Sequence, residues 1–186
     1  MDDSTVVIAG GARTAMGGLN GVFSGVSAVE LGTAAIRAAV ERSGFAASDI
    51  DEVIMGCVLP AGVKQGPARQ ASIAAGIPKT AGATTINKLC GSGMQAIIFA
   101  HDQIRAGTNN VMVAGGMESM SSAPHLLLNS RTGYRIGHVE AKDHMFHDGL
   151  EDAYTGRLMG TFAQETANEL GFTREQMDRY AVQSLE

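Results

Sequence analysis

Cys90 is the residue of this chain best placed to do chemistry. It lies in Ile86-Asn87-Lys88-Leu89-Cys90-Gly91-Ser92-Gly93-Met94. Ala83-Thr84-Thr85-Ile86 before it has the Thr and Ile content of a strand. From Gln95 to Ala106 the chain reads as a helix that stops at Gly107. The thiol therefore falls at a strand-to-helix turn with a helix N-terminus aimed at it. Unpaired N–H groups and the positive dipole end stabilise a thiolate there. Gly91, Ser92 and Gly93 are small enough to let a substrate or another backbone approach closely. This makes Cys90 a candidate nucleophile. A structural cysteine packed in a core is the alternative, and most free cysteines are of that kind.

A thiol nucleophile needs a base and donors for an oxyanion. Backbone N–H groups of the helix N-terminus, that of Cys90 included, would supply the donors. The base is not identifiable. His101 sits turns further along the same stiff helix and cannot fold back to the thiol. His125, His138, His144 and His147 fall in a loop without fixed geometry. No Ser-His-Asp set or carboxylate pair is recognisable, so the proton-handling groups of a catalytic Cys90 are expected outside this chain.

The elements that must position Cys90 follow a regular order. Thr5-Val6-Val7-Ile8-Ala9 is an apolar run with the look of a buried parallel strand. The glycine-rich loop from Gly10 to Gly25 carries Arg13 but no GxGxxG, so a dinucleotide fold has no support. Ser27 and Glu30 form a capping box for a helix that runs to Ser43 and stops at Gly44, with Val29, Ile36 and Val40 on its apolar face. A strand is expected over 52–58. A short helix follows, opened by Pro67 and closed by Gly76 and Pro78. The strand at 83–87 comes next. The helix after Cys90 is apolar nearly all round and is expected to be buried. Asn110 to Gly116 is a last strand. The order β-α-β-α-β-α-β predicts a layered α/β domain with a mostly parallel sheet.

After Gly116 the pattern changes. An irregular stretch reaches about residue 152 and holds four of the five histidines, with Arg131, Arg135 and Lys142. Loops of this length are usually functional or interfacial. Three readings stay open. It could be a solvated or subunit-contact loop. Its basic residues could hold an anionic ligand. His144 and His147 could suggest a metal, although no third ligand is evident. A helix over 160–170 follows, then a second capping box at Thr173 and Gln176 whose helix is still in mid-pattern at Glu186. That reads as a chain that once continued or was cut.

Composition bounds the function. The chain has 186 residues, 45% of them hydrophobic, enough for one sizeable domain with its own core. A net charge of −5 argues against broad nucleic-acid binding. Cys57 and Cys90 form no CxxC pair, which suits a reducing compartment such as the cytoplasm. The acidic Met1-Asp2-Asp3-Ser4 is neither a signal nor a basic transit peptide, and no run of 18 apolar residues would span a membrane.

Four stretches resemble the thiolase family in family order and cover nearly the whole chain. They are Asn87-Lys88-Leu89-Cys90-Gly91-Ser92-Gly93-Met94-Gln95-Ala96; Met55-Gly56-Cys57-Val58-Leu59 with Pro67-Ala68-Arg69-Gln70-Ala71; Ala114-Gly115-Gly116-Met117-Glu118-Ser119-Met120-Ser121; and Met159-Gly160-Thr161 leading to Ala163-Gln164-Glu165. The resemblance implies an α-β-α layered half-domain with a mostly parallel mixed sheet, one of two in the full fold. Residues 1–120 would be its core. Residues 121–155 would begin the loop region that covers the substrate and contacts other subunits. Residues 156–186 would be helices of that region, with the C-terminal domain absent.

The resemblance also implies the chemistry. Cys90 would carry an acyl group taken from a thioester, and its own N–H would help hold the oxyanion. An acetyl-CoA carbanion would then attack, or coenzyme A would cleave a 3-ketoacyl-CoA in reverse, as in fatty acid metabolism. No resident cofactor is implied, because coenzyme A is a substrate. Relatives are homodimers or homotetramers. Their second half carries an Asn motif, a Gly-His-Pro histidine and a Cys-x-Gly cysteine, none of which occurs in this sequence. Leu150 and Met159 match positions lining the acyl and pantetheine pocket. Leu158 stands where short-chain biosynthetic members have His, which leans towards the broader 3-ketoacyl-CoA thiolases. Cys57 reads as core packing at a strand end, with a redox partnership to Cys90 as the alternative. A truncated, non-catalytic half and a ketoacyl-synthase-type condensing enzyme are the competing readings. The Gly-Gly-Met-Glu-Ser-Met-Ser stretch and the loop after it favour thiolase.

Overall fold

The computed structural model describes residues 5–186. The acidic stretch over residues 1–4 lies outside the described residues. Two compact units divide between Met145 and Phe146.

In the first unit, helix α1 spans Ala28–Ser43 and begins at the expected capping box. Ser27 Oγ accepts the Glu30 N–H at 3.2 Å, and the Glu30 carboxylate accepts the Ser27 N–H at 2.9 Å. The Ser27 hydroxyl, donating to the Glu30 carboxylate at 2.7 Å, and then the Ser27 N–H hold that carboxyl below its ordinary range. Gly44 ends the helix at φ 80°, a conformation that disfavours any residue with a Cβ. Strand β1 (Glu52–Gly56), helix α2 (Pro67–Ala74), strand β2 (Gly82–Ile86), helix α3 (Ser92–Arg105) and strand β3 (Met112–Gly116) follow. The three strands form one parallel sheet in the order β2-β1-β3, with Gly56 level with Ile86 and Gly116. Alternation along β1 builds the layers. Val53 and Met55 enter a core with Ala28 and Ile36 of α1 and Ala68 and Ala71 of α2. Gly56 turns to the opposite face, where α3 packs on β1 and β3.

Three expectations need correction. Thr5 to Ala9 is not a strand. It runs as irregular chain with Val7 74% and Ile8 83% exposed. Strand composition is local, but a strand exists only when another strand accepts its ladder bonds. The helix after Cys90 is not buried all round either. Ala96 and Ala100 are buried against the sheet, while Met94, Ile97, Ile98 and Phe99 are 41–72% exposed. A single sheet covers only one stripe of a helix. Finally, the stretch after Gly116 is not wholly irregular. Strands β4 (His125–Leu126) and β5 (Lys142–Asp143) pair antiparallel. His144 is buried behind them, its backbone N–H donating to Pro124 O and its Nε2 accepting the Ala61 N–H at 3.3 Å.

The second unit holds a wide helical turn over Phe146–Leu150, helix α4 (Met159–Glu169) and helix α5 (Arg174–Leu185). The Thr173–Gln176 capping box is formed. Among the described residues no helix is long and apolar enough to cross a membrane.

Candidate active site

Cys90 is exposed at the turn between β2 and α3. The backbone leading to it is unusual. Leu89 has φ 50°, a left-handed conformation that costs a residue with a Cβ about 1–2 kcal/mol. Several bonds hold it there. Asn87 Oδ1 accepts the Leu89 N–H at 2.9 Å. Ser92 Oγ accepts the Lys88 N–H at 2.8 Å and donates to Leu89 O at 2.6 Å. The Gly91 N–H donates to Lys88 O at 3.1 Å. Lys88 Nζ reaches Gln95 Oε1 on the first turn of α3 at 2.6 Å. No side chain caps the N-terminus of α3. The Ser92 N–H is taken by Leu89 O at 3.0 Å, and beyond it the positive dipole end of α3 favours negative charge, as an oxyanion or a thiolate requires.

Glycines set how closely α3 meets the sheet. A Cβ on Gly56 would stand 2.5 Å from Ser92 Cβ, so only glycine lets the helix N-terminus rest on the end of β1. Gly116, at the end of β3, would place a Cβ 3.5 Å from Gly93 Cα. Around this junction lies an open cleft of about 310 Å³ lined by Val58, Leu89, Cys90, Gly93, Met117 and Glu118 among others.

The Glu118 carboxylate organises the far wall of the cleft. It accepts the backbone N–H of Val58 at 2.7 Å and of Leu59 at 3.0 Å. The Cys57 thiol lies 3.7 Å from Glu118 Oε1, buried at 1% exposure. Burial first, then the Glu118 charge, pushes the Cys57 thiol up to about 12. Cys57 is thus a protonated core residue, as expected of a strand-end packing position. Asn87 Nδ2 also points across to Val58 O, at 3.4 Å.

The histidines do not converge on a metal or a base. His101 Nδ1 lies 3.0 Å from Asp102. His147 is in the second unit, 3.9 Å from the Glu151 carboxylate. Among the described residues no group of three His, Cys, Asp or Glu could hold a metal ion.

Leu150, Leu158 and Met159 belong to the second unit, whereas Cys90 belongs to the first. Leu150 ends the wide turn, and the adjacent Glu151 forms a bridge with Leu158, the residue that caps α4. Leu158 and Met159 are 40% and 48% exposed. Arg157 bonds Glu165 and stands 4.6 Å over the Phe162 ring. Sequence reasoning passed over Asn87, Ser92 and Glu118 as agents of the site. Asn87 and Ser92 act on the backbone of their own turn, which residue type alone does not signal, and the amides Glu118 accepts lie about 60 residues earlier.

A parallel three-layer α/β unit with a cysteine at a strand-to-helix turn defines a class of fold and site, and comparison gives it a family. The family model described as "Thiolase, N-terminal domain" matches residues 6–186. The chain belongs to the thiolase family and corresponds to its N-terminal domain. An acetyl-CoA acetyltransferase of Cupriavidus necator is 49% identical over 179 residues, covering 96% of this chain and 46% of that protein. A probable acetyl-CoA acetyltransferase of Mycobacterium tuberculosis is 50% identical over 181 residues, with 97% and 46% covered. A thiolase from Ascaris suum, solved in complex with coenzyme A, superposes with a TM-score of 0.89 at 40% identity over 95% of this chain and 46% of that one. The chain thus spans about half the length of the relatives it matches.

Proposed function

We propose that this chain is the nucleophile-bearing half of a thiolase-type acyltransferase that forms or cleaves 3-ketoacyl-CoA of the acetoacetyl-CoA class. The observation that carries the reading is the exposed Cys90 thiol, held at an uncapped helix N-terminus and opening onto a cleft. The thiolate attacks the carbonyl carbon of an acyl-CoA, and the tetrahedral oxyanion is stabilised by amides of the turn, that of Cys90 among them. Collapse releases coenzyme A and leaves an acyl thioester on Cys90. The carbanion of acetyl-CoA then attacks that thioester, forming the carbon–carbon bond and returning the thiolate. Thiolysis by coenzyme A runs the same steps backwards. Coenzyme A is a substrate throughout, and no resident cofactor takes part.

The groups that take and return the protons come from a C-terminal half, in the same or another polypeptide. Two features support this: no described histidine reaches the cleft lining, and the relatives are about twice as long. Leu150, Leu158 and Met159 contribute to the acyl and pantetheine pocket. The residue divisions 1–120, 121–155 and 156–186 separate core, covering loop and loop-region helices. The working protein is a cytoplasmic homodimer or homotetramer, and its two free cysteines suit that compartment.

The test is a cysteine pair in the complete enzyme. Cys90→Ser abolishes transfer of label from acetyl-CoA to protein, and Cys57→Ser leaves it. Equal behaviour of the two variants would sink the choice of nucleophile.

A further inference from the structure

We propose that Ser92 is the positioning residue of Cys90, and that its hydroxyl acts by holding Leu89 in the left-handed conformation. The inference rests on Cys90 being the nucleophile. Ser92 is 4% exposed, yet it lies two residues from a fully presented thiol. Both of its hydroxyl bonds close within the turn. One accepts the Lys88 N–H at 2.8 Å, and the other donates to Leu89 O at 2.6 Å. The first bond holds the peptide unit before Lys88 and the second the unit after Leu89, so the hydroxyl brackets the Leu89 Cα, while Asn87 Oδ1 and the Gly91 N–H hold the unit between. They thereby fix the φ of 50° that aims the chain at Cys90. Leucine does not choose this conformation, and its side chain gains little burial in return, being 51% exposed. The turn therefore needs an external clamp, and Ser92 is anchored well enough to be one. It opens α3, and its Cβ rests in the space left by Gly56, where any Cβ on that residue would come within 2.5 Å. The strand end locates Ser92, Ser92 locates Leu89, and Leu89 leads Cys90 into the N-terminus of α3. Without the clamp, Leu89 relaxes towards negative φ and Cys90 moves off the N-terminus of α3, where a helix dipole end favours a thiolate.

The experiment reads the thiol directly. Iodoacetamide adducts at Cys90 are timed by mass spectrometry across pH for wild type, Ser92→Ala, Leu89→Gly and the double variant, with Cys90→Ser to assign the adduct. In Ser92→Ala the alkylation midpoint rises by about one pH unit, slowing the reaction about tenfold below the midpoint. In the Leu89→Gly background the serine becomes dispensable, because glycine adopts positive φ unaided. The double variant returns to within about twofold of wild type. An unchanged midpoint in Ser92→Ala overturns the proposal, even if the melting temperature falls. So does a double variant as slow as Ser92→Ala. Should Ser92→Ala not fold, Leu89→Gly is compared with the double variant. Matching profiles support the clamp, while a slower or unfolded double variant makes Ser92 a core residue and overturns it. Label transfer in Cys90→Ser reports separately on the nucleophile: its survival refutes the function whatever Ser92 does.

Discussion

Cys57 and Cys90 differ in what surrounds each thiol. Cys57 is sealed under the end of β1, and burial together with Glu118 pushes its titration up to about 12. Cys90 faces solvent at a helix N-terminus. Near pH 8, alkylation of the native chain is therefore expected to add one label, at Cys90, with a second appearing only on denaturation. Intact mass before and after denaturant checks this, and early labelling of Cys57 would contradict its burial. The same raised value gives a pH dependence. An unfolded Cys57 releases its proton near the ordinary thiol value, whereas the folded one keeps it, so the folded state binds more protons between the two. This contribution is complete below the ordinary value and is lost as pH rises through the folded one. The position of Cys90 was legible in the sequence because strand, small residues and helix are adjacent. Glu118 was not, because the amides it accepts belong to Val58 and Leu59, about 60 residues earlier.

At the scale of elements, close approach at one glycine decides whether α3 can present the cysteine. Gly56→Ala puts a Cβ 2.5 Å from Ser92 Cβ, with 2.8 Å to the Ser92 carbonyl carbon behind it. Neither neighbour is the free end of a flexible side chain, so the helix must lift from β1. Thermal melts should show a loss of about 1–3 kcal/mol, the usual cost of overpacking a well-filled core. Helix α2 offers the opposite case. Ser72 is fully buried, and its Oγ has no hydrogen-bond partner. Ser72→Ala removes an unpaired polar atom without leaving a large void. Stability should hold or rise by up to about 1 kcal/mol, and a clear loss would reveal a partner for the hydroxyl. The elements read correctly in advance are those with local causes. The Ser27–Glu30 box starts α1 and Gly44 stops it, Pro67 opens α2, and Thr173–Gln176 opens α5. Thr5 to Ala9 was misread because its composition promised a strand whose pairing depends on distant chain.

For the whole molecule, two features point the same way, one that sequence patterns missed and one that they anticipated. Met94, Ile97, Ile98 and Phe99 leave an apolar face on α3 without cover, and no described histidine lines the Cys90 cleft. Burying an apolar side chain stabilises by about 1.5–3 kcal/mol, so such a face binds whatever apolar surface is supplied. Under the proposed function, one partner answers both needs, since a C-terminal half would bring surface and proton-handling groups together. The 186-residue chain alone, incubated with acetyl-CoA, is therefore expected to show little turnover, while the hydrophobic dye ANS should bind it strongly. Adding a C-terminal thiolase half should lower the dye signal and raise thiolysis over the same range of concentration. Robust thiolysis by the pure chain would refute the divided site. A fall in dye signal without activity would mean that the half docks but does not complete the chemistry of Cys90.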